Sequence, residues 1–288
     1  MSRNYNNSII SKTINKMCDG RLTAVSGAPY TLTQTTNGSQ LYFSPIDGNA
    51  IGLYDSEESA WDLVLFSEVS LSMSSLSSNT SYDIYAYKSG SSLALDATAW
   101  ASDSVRSVGL VRLDGVLTKS GASTHRYIGS IRTSTNNGLT VIRDTTYSRH
   151  IWNYYNQQTL HMSSVVTGFN NYSTRSWRPY NNNTTVANNG ARVDFICGTP
   201  TQLNTQCHFQ ARYAYAGVGL NSSSPLNSSS LVHDNSGYGS TGRGGGIRTT
   251  SSYTTVVAGG FHYLQLCQYG LSGYSGFWIG SQSPFIIG

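Results

Sequence analysis

The sequence predicts an all-β protein of two β-sandwich domains, and three observations lead there. Only 11% of the residues are charged while 38% are hydrophobic, so the chain has apolar area for cores and takes its solubility from neutral polar groups. Ser, Thr, Asn and Gly are abundant and there are 20 Tyr, a mixture that suits pleated strands and tight turns better than helices. Short apolar runs recur between turn signals at spacings of about ten to fifteen residues, as in sandwiches and barrels. A length of 288 residues is enough for two domains, each with its own core.

Residues 1–21 read as an irregular, polar N-terminal arm suited to reaching a neighbouring subunit, and residues 22–133 as the first β-sandwich or barrel. In the latter, 40–43 and 50–54 alternate as strands, and Pro45 and Gly48 between them mark a reversal. For 61–66 a helix competes, because Asp55 and Glu58 have capping-box spacing before an apolar run. A strand is preferred, since the run is short and Ser-rich sequence follows. Further strands are expected at 82–87, 92–100, 108–117 and 126–133. Residues 134–165 read as a connector whose aromatics, from His150 to Asn156, pack between domains. Residues 166–288 read as a jelly-roll-like β-sandwich. There Phe209, Ala211, Tyr213 and Tyr215 would share one strand face, and His208, Gln210, Arg212 and Ala214 the other. Strands at 261–269 and 274–279, a last strand or docking tail at 284–288 and a long Ser/Gly-rich loop at 221–252 complete the second half.

The net charge of +4 arises from a shortage of acids: residues 1–144 carry 12 acids and 11 bases, residues 145–288 only 2 acids and 7 bases. Arg175, Arg178, Arg192, Arg212, Arg243 and Arg248 are strung far apart, so no nucleic-acid partner is expected. No run approaches the roughly 20 apolar residues of a membrane span, and Met1 to Met17 lacks the apolar centre of a signal peptide, so export by the general route is not expected. Cys18, Cys197, Cys207 and Cys267 contain no C-x-x-C pair and read as buried thiols, with a Cys197–Cys207 bridge left open.

Motifs for chemistry are sparse. Gly237 to Gly242 matches G-x-G-x-x-G, but Arg243-Gly244-Gly245-Gly246 follows where a phosphate-binding helix would have to start. No lysine follows Lys119, which removes a Walker-type or Schiff-base lysine from the second half. There is no G-x-S-x-G, and a Ser/His/Asp triad assembled in space is left open. Glycoside hydrolysis normally needs two carboxylates. The second half offers only Asp194 and Asp234, while Asp55, Glu57, Glu58 and Asp62 crowd a turn that loop solvation explains more simply. His125, His150, His161, His208, His233 and His262 show no metal-ligand spacing. Cys207-His208 would meet His262 or Cys267 only if their strands pair. No catalytic residue, cofactor or metal is therefore expected, and the chain is expected to be non-enzymatic. Tyr82, Trp100, Trp177 and Trp278 read as packing, whereas Tyr238 in the Gly-rich loop is the candidate for exposure.

Gly48 to Asp55 followed by Ala60-Trp61, then Tyr82 to Tyr87, resembles a recurrent module in structural proteins of tailed phages and environmental viruses. Ala94-Leu95-Asp96 with Ala99-Trp100, Asp114-Gly115-Val116 with Lys119-Ser120-Gly121, Arg126 to Thr133, and Trp152 to Asn156 keep that module's order. Ala216 to Asn221 and His262-Tyr263-Leu264 resemble its C-terminal companion. The acidic turn Asp55-Ser56-Glu57-Glu58-Ser59, without glycine, departs from the pattern. The resemblance implies a virion structural protein of a phage tail fibre, tail tip or head-attached appendage, acting in particle assembly and host attachment. It further implies assembly in the host cytoplasm as a homo-oligomer, with other virion proteins and a host-surface glycan or receptor as partners. A capsid vertex or decoration protein is the nearest variant. A carbohydrate-binding or carbohydrate-cleaving module is the alternative of a different class.

Overall fold

A computed structural model describes residues 13–30, 34–187, 190–212, 214–224, 233–234, 247–270 and 276–288. Among them the chain is all-β and sandwich-like, built of several sheets, with short 3-10 turns in place of long helices. The Gly237 to Gly242 motif, Tyr238, Arg243, Tyr274 and residues 1–12 of the arm lie outside the described residues.

Strands stand at Gln40–Pro45, Ala50–Asp55, Ala60–Leu65, Ser81–Ser89, Ser92–Ala99, Gly260–Gly270 and Phe285–Ile287, where alternation placed them. The helix alternative after Asp55 fails for an instructive reason. Asp55 does cap, its Oδ1 accepting the N–H groups of Glu57 and Glu58 at 2.8 and 3.2 Å, but the turn it caps joins two paired strands, Ala50–Asp55 and Ala60–Leu65.

Four expectations are corrected. The single strand at 108–117 is two, Leu110–Leu113 and Val116–Lys119, because Asp114 and Gly115 both take positive φ (49° and 87°), the geometry of a tight hairpin turn. The pattern at 208–215 divides between sheets: Thr201–Arg212 belongs to a six-stranded sheet and Ala214–Leu220 to a larger one, so its described residues do not belong to one strand, and Tyr213 lies outside the described residues. The end of the expected 221–252 loop is occupied by the strand Ile247–Val257. Residues 134–165, read as a connector, lie within the sheets, contributing Leu139–Thr145, Ser148–Arg149, Ile151–Asn153 and Thr159–His161.

Two strands organise the interior. In Ser81–Ser89, Tyr82, Ile84 and Ala86 point into one core, with Leu22, Leu41, Phe43, Ile51 and Leu53. Tyr85 points the opposite way, into a second core with Trp152, Phe195, Leu203 and Leu266, as alternation along a strand requires. The neighbouring strand Ala122–Asn136 pairs with it, Tyr127 opposite Tyr85 and Gly129 opposite Ile84. The register shift between them is a bulge that sends Ile128 to the first core and Tyr127 to the second. These strands form a wall buried on both faces.

Polar links tie the wall to the second half. Asp83, buried in the wall, accepts from Arg106 Nε and Nη2 at 2.6 and 3.1 Å and from Ser130 Oγ at 2.7 Å. Arg106 also donates to the carbonyl of Gly198 and lies over Trp100, 4.4 Å from the ring centroid. A side chain at Gly198 would overlap the Tyr127 hydroxyl and the Trp152 ring, so glycine permits this close approach. Further along, Ser148–Arg149 pairs in parallel with Arg192–Cys197. There Asp194 accepts from Ser148 Oγ at 2.6 Å and His150 Nε2 at 3.0 Å. A ladder of fourteen strands thereby runs from the first half into the second.

All four cysteines are free and buried. Cys197 and Cys207 sit on strands of different sheets that do not pair, and burial pushes both thiols up to about 12. Cys207 and His208 are likewise separated from His262 and Cys267, which lie on Gly260–Gly270 in the larger sheet.

Burial alone would raise the Asp194 carboxyl, but the His150 charge, the hydrogen bonds from His150 and Ser148, and Arg192 together hold it below its ordinary 3.8. A lowered folded-state value stabilises the fold above the unfolded value, and that contribution is lost as pH falls below about 4 and through the folded value. Asp194→Asn should cost about 3 kcal/mol at neutral pH. Urea unfolding at neutral pH and near pH 3 should show the gap between wild type and variant narrowing in acid; a constant gap would show that the Asp194 charge contributes nothing.

Candidate functional site

The hairpin Ala50–Asp55/Ala60–Leu65 is held over the exposed end of the wall. Tyr54 packs edge-on against Trp61 with centroids 5.6 Å apart, and Trp61 Nε1 donates to Asp114 Oδ2 at 2.9 Å. Beyond Ala86 the strand Ser81–Ser89 leaves the core, so Tyr87 emerges beside the hairpin. On the adjacent strand His125 emerges next to it. The two rings stack nearly parallel, 8° apart in plane and 4.7 Å between centroids.

Around this stack lies a cleft of about 390 Å³ lined by Tyr54, Asp55, Ser56, Glu57, Asp62, Tyr87, Lys88, Thr124 and His125, among others. Backbone hydrogen bonds from Glu58 and Glu57 hold the exposed Asp55 carboxyl below its ordinary value, so Asp55 is an ionised acceptor. Asp62 Oδ2 pairs with Lys88 Nζ at 3.0 Å, giving an acceptor and a donor side by side. Thr124 Oγ1 lies 3.1 Å from His125 Nδ1. Half-buried aromatic surface next to carboxylates, an ammonium group and hydroxyls can take a ring with apolar C–H faces and equatorial hydroxyls.

Of the sequence candidates, Asp55, Glu57, Asp62 and His125 converge here. Glu58 contributes through its N–H. Tyr54, Tyr87, Lys88 and Thr124 were missed; only the end of the 82–87 alternation hinted that Tyr87 lies where burial stops. Tyr82 and Trp100 are buried packing residues, and Trp177 tilts against Tyr269 at 5.4 Å. His161 is exposed and tilts against Phe285 at 5.8 Å. His262 is held between Asn221 Nδ2 and the Ala258 carbonyl at 3.0 and 2.9 Å. His208 lies on Thr201–Arg212, and His233 and Asp234 form a two-residue strand paired with Ala214–Leu220.

The spatial Ser/His/Asp arrangement is present elsewhere. His150 Nδ1 lies 3.1 Å from Ser134 Oγ, while Nε2 lies 3.0 Å from Asp194 Oδ1. With Asp194 ionised, Nε2–H donates to it, and Nδ1 faces the Ser134 hydroxyl. The order is that of a nucleophilic triad with the ring nitrogens exchanged. All three residues are buried, and they line a second cleft, distinct from the first.

No family model and no curated protein matches the chain. Among solved structures it is similar to a glycoside hydrolase of family 86 in complex with neoagarooctaose, with a TM-score of 0.25 and 8% identity over 88% of this chain and 33% of that one. It is also similar to an exo-β-1,3-galactanase from Phanerochaete chrysosporium with β-1,3-galactotriose (TM-score 0.21, 11% identity, 88% of this chain and 55% of that one). A third is a family 43 arabinoxylan arabinofuranohydrolase from Bacillus subtilis with cellotetraose (TM-score 0.22, 10% identity, 86% and 52%). The chain thus spans between a third and just over half of these proteins. The structures matched are glycoside hydrolases, so the expectation of a non-enzymatic protein is withdrawn. At these TM-scores the matches transfer neither a catalytic residue nor a substrate.

Burial holds the His125 imidazole below its ordinary 6.5, the charge of Lys119 acting in the same sense and that of Asp96 against it. An NMR titration should therefore place the His125 midpoint below 6.5, with the Tyr87 ring signals following the same curve through the stack. A midpoint above that value would show the ring to be solvated and the stack open.

Proposed function

We propose that the chain is an attachment protein of a virus particle, which binds a host-surface glycan in the hairpin cleft. The observation that carries the reading is the Tyr87–His125 stack set beside the Asp55 acceptor and the Asp62–Lys88 pair. An aromatic platform contributes non-directional contact to a sugar face, and the charged groups beside it select hydroxyl geometry. The virion part of the reading is supported by the ordered resemblance from Gly48 to Asn156 and by the neutral polar loops. Several copies on one particle would raise weak single-site binding through effective concentration.

On a glycan array the purified chain should bind a restricted set of saccharides, and Tyr87→Ala should weaken that binding roughly tenfold, about 1.4 kcal/mol, the scale of an aromatic contact. Asp62→Asn should change which saccharides bind. An array with no binding above background would overturn the glycan reading. Reducing-end release in the same mixtures, lost in Asp62→Asn, would add cleavage to binding. In purified particles the chain should be present at a symmetry axis, three-fold for a fibre or five-fold for a vertex; absence from particles would overturn the virion reading.

A further inference from the structure

The second cleft, of about 290 Å³, lies at the far end of the strand Ala122–Asn136 and gathers Arg132, Arg143 and Arg192 around Ser134 and His150. Two of the guanidinium groups are braced in the same way. Arg132 lies over the Phe261 ring at 4.2 Å and Arg192 over the Tyr263 ring at 3.7 Å. Phe261 and Tyr263 are alternate residues of Gly260–Gly270, so their side chains leave one face of that strand. Stacking fixes the plane of a guanidinium and leaves its N–H edge for an acceptor lying in that plane.

Few acceptors among the described residues meet those edges. Arg132 is bonded to Asp103 and Ser81, and Arg143 Nη2 donates to the Thr135 carbonyl at 3.3 Å. Arg192 Nε is buried and has no hydrogen-bond partner among the described residues. The carboxylate nearest to hand, Asp194, is already engaged by His150 and Ser148. Buried donors are ordinarily satisfied, and the three arginines outnumber the two carboxylates beside them, Asp103 and Asp194, so the cleft keeps a net positive charge that attracts an anion.

We propose that this cleft binds an oxyanion carried on a sugar, a carboxylate or a sulfate ester, through Arg143 and Arg192 with Arg132 completing the positive rim. The size of the cleft suits about one sugar unit, and Thr135, exposed among its lining residues, offers a neutral polar contact, whereas the Thr133 hydroxyl is taken by the Ser77 and Thr80 carbonyls. The remaining arginines of the second half form no continuous track away from the cleft along the sequence, which favours a compact anion over a nucleic-acid backbone. The proposal extends the glycan reading to a second site, and it is separable from the first because its substitutions leave Tyr87, His125 and Asp62 in place.

Isothermal titration of the full chain tests it with four probes: a heparin-derived tetrasaccharide, its desulfated and carboxyl-reduced counterpart, sodium sulfate and a single-stranded oligothymidine. The sulfated tetrasaccharide should bind roughly tenfold tighter than sodium sulfate, the desulfated one should give no heat, and binding should weaken as salt rises from about 50 to about 200 mM. Arg143→Gln and Arg192→Gln should each weaken it roughly fivefold or more, with near-ultraviolet circular dichroism unchanged and Arg112→Gln, an exposed arginine outside both clefts, without effect. Absence of binding by the wild type, or equal binding by both arginine variants, overturns the site. Tighter binding of the oligothymidine, or sodium sulfate binding as tightly as the tetrasaccharide, overturns the assignment to a sugar-borne anion.

Discussion

A strand buried on both faces must satisfy two environments at once, and Ser81–Ser89 with its neighbour Ala122–Asn136 impose that condition on the whole molecule. Ile84 serves one core and Tyr85 the other, so neither core is complete without the wall, and a change of register by one residue would exchange the two sets. The wall also carries a buried carboxylate, Asp83, whose cost is offset only because Arg106 and Ser130 reach it. Arg106 in turn bonds the Gly198 carbonyl. The apolar partition and its polar tie therefore depend on each other, and both join residues far apart in the chain.

The same wall places the two clefts. Where Ser81–Ser89 and Ala122–Asn136 leave the interior, their next side chains, Tyr87 and His125, become the stack of the hairpin cleft. At the other end of the longer strand, Arg132 and Ser134 enter the arginine cleft. Nine residues separate His125 from Ser134 along the strand, which at about 3.3 Å per residue puts the clefts roughly 30 Å apart. One rigid element thus presents two chemically different surfaces, one aromatic with carboxylates and one cationic.

Much of the fold was legible in the sequence because the burial of a strand is a local, period-two signal. Tyr82, Ile84 and Ala86 in the wall alternate with no need of distant information, whereas the hairpin breaks the period, Trp61 and Val64 being buried and Leu63 and Leu65 exposed. What failed was punctuation. Asp114-Gly115 is a recognisable hairpin pair, yet the apolar residues on both sides made one run of it, and the run at 208–215 keeps its period although its strands belong to different sheets. The sites were less legible still. Asp55, Glu57, Asp62 and His125 were visible as residue types, but the stack of Tyr87 on His125 depends on cross-strand placement. Ser134, His150 and Asp194 lie 16 and 44 residues apart, and nothing local marks them as partners. The arginines looked scattered because the rings that brace them, Phe261 and Tyr263, lie on another strand.

If the wall is shared as described, the two cores cannot melt independently. Differential scanning calorimetry of the full chain tests this most directly. A single transition with equal calorimetric and van't Hoff enthalpies is the expected result, displaced as a whole to lower temperature by Ile84→Ala, which empties one face of the wall at a cost of about 3 kcal/mol. Two separated transitions, with Ile84→Ala moving only one of them, would contradict the account.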